Sequence, residues 1–190
     1  MKNETGLSKA KISLSIINII VCIAAVVGSC ILLFGSSTPV YMIAAIIEII
    51  SLVFNIFYTL HGFRKKYALS FRIYMFLSAL VSLTILTGSC ADAGNAGTVF
   101  AIMEGIVALQ FASLMVLSLG KDIGVKVSAI LSVFVILVPL YILISVMIEG
   151  RQYDVLTNLG FFASSVSSVL LIIAKYTDKY ERKKGTNQKL

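Results

Sequence analysis

"AAIIEIISLVFNIFYTLHGFRKKY", residues 44–67, decides how the rest of the chain is read. It is an apolar run that holds one carboxylate, Glu48, and ends in the basic cluster Arg64, Lys65 and Lys66. A helix crossing a hydrocarbon core of about 30 Å needs roughly 20 apolar residues. Lys and Arg gather on the cytoplasmic flank of such a helix. An acid within it costs about 2.5–3.5 kcal/mol even on the gentler insertion scales, so it turns away from lipid. The segment reads as a membrane span with one polar face.

Working outward, five more runs have the same character. The expected spans lie near 12–34, 40–62, 68–90, 98–119, 127–148 and 155–174. The chain of 190 residues is 58% hydrophobic and only 13% charged, against about 25% charged in a soluble domain. In water it would leave large apolar patches uncovered. The breaks between runs are short, so neighbouring helices form antiparallel hairpins with no inserted soluble domain. The expected fold is therefore all-α: a polytopic integral membrane protein with six transmembrane helices in a compact bundle of three in–out–in hairpins. Its parts are a cytoplasmic N-terminal segment (1–11), a single transmembrane domain (12–174) and a basic cytoplasmic tail (175–190).

The orientation comes from the basic residues. Lys2, Lys9, Lys11, Arg64, Lys65, Lys66, Arg72, Lys121, Lys126 and the tail cluster from Lys175 to Lys189 share one side, and only Arg151 lies on the other. That makes fifteen of sixteen Lys and Arg on one side, which places both termini in the cytoplasm. The net charge of +7 thus reports topology; no nucleic-acid motif or folded basic face accompanies it. The tail lysines sit where anionic lipids of the inner leaflet attract them. The Ile- and Lys-rich, Trp-free composition suits a low-GC bacterium, so a bacterial cytoplasmic membrane is the expected location. The stretch "VGSC", ending at Cys30, looks like a lipobox, but "ILLF" continues the run directly after it, so a first membrane helix is expected instead.

Lys9, Lys65 and Lys121 recur every 56 residues, and "GSC" recurs at 28–30 and 88–90. Either a parallel repeat of hairpins or the ordinary spacing of short-looped helices produces this pattern. Cys30 and Cys90 both fall at the outer face, as free thiols or as a disulfide in an oxidising compartment.

The candidate pathway residues begin with Glu48. Ser51, Asn55, Thr59 and Gly62 share its helical face, a polar stripe that must meet protein or water. Glu48 is then an acid bonded between helices, a member of a solute or ion pathway, or a headgroup contact. Glu104 is expected at similar depth on a neighbouring helix, close enough for the two acids to share a proton or a cation. Asn158 and Ser165 of the last span complete the pathway candidates, with Asn158 also readable as a helix cap. Small residues at every fourth position mark helix contacts: Ala24 with Gly28, Ser128 with Ser132, and Gly160 with Ser164 and Ser168. Pro139 falls inside the fifth span, where it removes a helix hydrogen bond.

No metal-ligand spacing, Ser–His–Asp set or phosphate-binding loop occurs, and His61 is the lone histidine. An enzyme is not expected, nor a cofactor. In length and helix count the chain is similar to the substrate-binding membrane subunits of energy-coupling-factor vitamin transporters, which would imply other membrane subunits or a cytoplasmic ATPase as partners beside the lipid bilayer. The leading expectation is a transporter, channel or membrane-embedded transport subunit for a small solute or cation. Its rival is a non-transporting scaffold, sensor or immunity-type protein acting through helix–helix contacts.

Overall fold

The computed structural model describes residues 2–92, 98–119, 123–148 and 152–187, with side-chain surroundings for 11–64, 66–87, 105–119, 123–148 and 155–176. Six helices account for nearly all of it: α1 (Lys2–Gly35), α2 (Pro39–Leu60), α3 (Ala68–Asp92), α4 (Thr98–Ser118), α5 (Val125–Ile148) and α6 (Gln152–Asn187). Among the described residues, five stretches are long and apolar enough to cross a membrane: Lys11–Gly35, Pro39–Leu60, Ala68–Thr87, Val125–Ile148 and Val155–Tyr176. The part of α4 with described side chains, Gly105–Ser118, is a shorter apolar helix.

The distribution of side chains is that of a protein dissolved in lipid. Ile12, Ile16, Ile20, Ile23 and Val27 form an exposed stripe down α1, and Phe34 at its end is 85% exposed. Asn18, Glu48, Asn55, Gln110 and a series of serines are buried. In hydrocarbon the exposed alkyl groups cost nothing, while polar groups gain by bonding to one another inside.

Each helix packs against its neighbours in the chain, and α1 packs against α6, so the six close into a ring. The α1–α6 seam depends on two glycines. A Cβ on Gly160 would stand 2.6 Å from Gly28 Cα, and one on Gly28 would overlap Gly160 Cα in the same way. Only hydrogen at both positions lets the backbones approach this closely.

Local sequence sets the helix ends. Pro39 opens α2 at a first-turn position, where its missing N–H would have no partner anyway. At the other end, Gly62 N–H bonds to Thr59 O at 2.9 Å and Phe63 N–H to Tyr58 O at 3.2 Å. This is the paired closure in which a residue of positive φ stops a helix, here Gly62 at φ 64°. Phe63 also takes a positive φ, 57°, a strained value for a side-chain-bearing residue. Its ring is buried, 5.7 Å from that of Tyr58, and that burial offsets the strain. One expectation is corrected here: α2 ends at Leu60, so Gly62 lies beyond the helix and off the face of Glu48.

Candidate functional site

A cavity of about 590 Å³ occupies the middle of the ring, and all six helices line it. It runs from the turn 36–38 between α1 and α2 down to Glu48 and Ser168. Glu48 lies nine residues into α2, roughly 13 Å along the axis from Pro39 at 1.5 Å per residue.

The polar wall comes from Glu48 and Tyr41 of α2, Ser78 and Ser82 of α3, Gln110 of α4, and Thr157, Asn158, Ser164, Ser165 and Ser168 of α6. Apolar groups stand between them, among them Val81, Val107, Leu114, Ile142 and Phe161. Among the described residues, none of the lining side chains is basic. Glu48 is 2% exposed, with the hydroxyls of Ser51 and Ser164 beside its carboxyl group. Among the described residues, the buried side-chain oxygens without a hydrogen-bond partner are Glu48 Oε1 and Ser78 Oγ. Both belong to this wall.

Gln110 and Pro139 are linked through the backbone of α5. Proline has no N–H, so Pro139 leaves the carbonyl four residues earlier, that of Val135, without its helical donor. The side-chain amide of Gln110 donates to that carbonyl at 3.4 Å and to Ser165 Oγ at 3.4 Å. A polar residue of α4 thus completes a helix that proline interrupts.

Beyond Glu48 the ring is closed in two layers. The hydroxyl of Tyr74, fully buried, donates to the Ser164 carbonyl at 3.0 Å and lies 2.9 Å from Ser168 Oγ. The second layer is a cycle of hydrogen bonds across three helices. Asn18 Nδ2 donates to Asn55 Oδ1 and to Thr59 Oγ1, each at 2.7 Å. Asn55 Nδ2 donates to Ser167 Oγ at 2.6 Å, and Ser167 Oγ donates to Asn18 Oδ1 at 2.6 Å. Cys22 Sγ lies 3.4 Å from Ser167 Oγ. Tyr58, Phe63, Phe71, Met75 and Leu171 fill the remaining interior as part of the buried apolar core.

The residues singled out by sequence therefore fall into different settings. Glu48, Asn158, Ser164, Ser165 and Ser168 line the cavity. Ser51 is buried and donates to the carbonyl of Glu48 at 2.8 Å within its own helix, while Asn55 and Thr59 join the closed cycle. The polar stripe of α2 is thus divided among three roles. Gly28 and Gly160 form the α1–α6 contact; Ala24 is exposed and its neighbour Ala25 is buried. Ser128 bonds to Tyr176 OH, and Ser132 Oγ donates to the Ser128 carbonyl at 2.7 Å. The side chains of Glu104 and Cys90 lie outside the described residues, and with them the shared-acid pair and the disulfide. Cys30 is a half-buried free thiol in an unbroken α1.

Asn18, Ser167, Tyr74 and Ser78 were not among the candidates. Asn18 had a visible signal: it is the one amide in the apolar run 12–34. Ser78 and Tyr74 had none, because one serine or tyrosine in a span is unremarkable until a neighbouring helix faces it. Compared with known proteins, the chain matches no family model, no curated protein and no solved structure.

Proposed function

We propose that this is a membrane-embedded solute-binding protein, a transporter or the solute-binding subunit of a transport assembly, with its cavity facing the outside of the cell. The carrying observation is a cavity lined by all six helices that ends at a buried acid and is closed beyond it by Tyr74 and the Asn18–Asn55–Ser167 cycle. The volume falls within the range of roughly 300–1,000 Å³ typical of small-molecule sites. An open channel fits less well, since the inner half is packed with aromatic and aliphatic side chains. The excess of Lys and Arg at the opposite end supports a cavity mouth outside and both termini in the cytoplasm, and the composition suits a bacterial membrane. Movement of a solute through the protein would require the closed layers to part, and a cytoplasmic ATPase or other membrane subunits are the partners that could drive this. No chemical reaction is assigned to the site.

Thiol accessibility tests this. In a background with the native cysteines replaced, Ser82→Cys and Ser165→Cys should react with a small membrane-impermeant thiol reagent added outside. Met75→Cys, in the packed half, should not. If Ser82→Cys and Ser165→Cys are both inert from outside, the cavity is no solute site and the scaffold or sensor reading takes its place.

A further inference from the structure

We infer that the cavity takes a small organic cation, an amine with a compact apolar body, whose N–H group docks between Glu48 and Ser78. The inference rests on the reading of the cavity as a solute site and names the class of solute.

Three observations carry it. The first is the pair of unpartnered oxygens. Glu48 Oε1 and Ser78 Oγ are buried, belong to different helices, and line one cavity. A buried acceptor left without a donor is expensive, and a carboxylate more so than a hydroxyl. An ammonium or amine N–H satisfies Oε1 with a charge-assisted hydrogen bond, and a second N–H can reach a serine oxygen.

The second is charge. Among the described residues, Glu48 is the one carboxyl group of the lining, and no Lys, Arg or His shares it. No described side chain of the lining supplies a cation to neutralise the carboxylate, so a cationic ligand completes the site. An anionic ligand would meet like charge in a low dielectric, with nothing to bind its own.

The third is the size and character of the walls. A bare metal ion would not fill about 590 Å³, and among the described residues no group of three or more His, Cys, Asp or Glu could hold one. Val81, Leu114 and Phe161 alternate with the serines, which suits a ligand with a hydrocarbon body and one charged end.

The experiment uses the full chain in detergent, with protection of Ser82→Cys from thiol reagent and thermal stability as readouts. The probes are isosteric sets: phenethylamine, phenethyl alcohol and phenylacetate; butylamine, butanol and butyrate; and choline and sodium chloride alone. At least one amine should protect and stabilise at a concentration at least tenfold lower than its neutral isostere, with no effect from the anions. Glu48→Gln should lose that advantage, and Ser78→Ala, a milder change, should weaken it. Equal protection by alcohol and amine, unchanged amine binding in Glu48→Gln, protection by sodium alone, or no amine effect would each overturn the cation inference while leaving the solute site standing. Inert Ser82→Cys and Ser165→Cys together would remove the site itself.

Discussion

Gly28 of α1 and Gly160 of α6 meet backbone to backbone, each occupying the space that a side chain on the other would need. Because α1 and α6 are the first and last helices, this contact closes the ring and with it the wall of the cavity. Overpacking of a tight site costs about 1–3 kcal/mol. Gly160→Ala should therefore lower the melting temperature in detergent by several degrees. Gly28→Ala should do the same, and the double variant should lose less than the sum, since either change alone already separates the helices. Unchanged melting in both would show that the two helices part at no cost.

The cycle through Asn18, Asn55 and Ser167 predicts a coupled loss. Asn18→Ala removes the donor to Asn55 and Thr59 and the acceptor of Ser167. Each buried polar group left unpaired costs about 1–3 kcal/mol. A thermal-melt cycle of Asn18→Ala and Asn55→Ala should show coupling of about 0.5–3 kcal/mol; strictly additive losses would mean that the cycle does not act as a unit.

Pro139 and Gln110 predict a rescue. Gln110→Leu should destabilise the protein, because the Val135 carbonyl then has no donor. Pro139→Ala restores the backbone N–H to that carbonyl, so Gln110→Leu should cost clearly less in the Pro139→Ala background. Equal costs in both backgrounds, measured by thermal denaturation, would separate the roles of the two residues.

The proposed membrane orientation predicts an opposite pair. With the native cysteines replaced, Ser37→Cys should label from outside intact cells, and Lys66→Cys only after the membrane is permeabilised. Both residues are exposed, one at each end of α2. Labelling of Lys66→Cys in intact cells would invert the assignment.

Glu48 shows where sequence and structure divide the work. Its helix, its approximate depth and its turn away from lipid follow from the run 44–67 alone, because an unpaired acid in hydrocarbon is too costly to leave exposed. Its companions follow only in part. Periodicity grouped it with Ser51, Asn55 and Thr59, and the last span offered Asn158 and Ser165, which do share its cavity, but nothing in the sequence pointed to Ser78 or Gln110 on the other helices. Periodicity reports which residues share a face of one helix, not which helix that face meets.

The sequence by itself determined the apolar spans, five of them within a few residues of the apolar stretches observed, because apolar length acts locally. It did not show that α1 starts as early as Lys2 or that α6 runs on to Asn187. The basic clusters mark ends wherever the chain goes. Only the tertiary structure decided that α1 closes on α6 through two glycines, that Asn18 satisfies Asn55, and that Gln110 supplies the bond that Pro139 removes. These are pairings between residues 37, 132 and 25 positions apart or more. They exist because six helices whose backbone groups are satisfied internally have no other way to bury their remaining polar side chains than against one another.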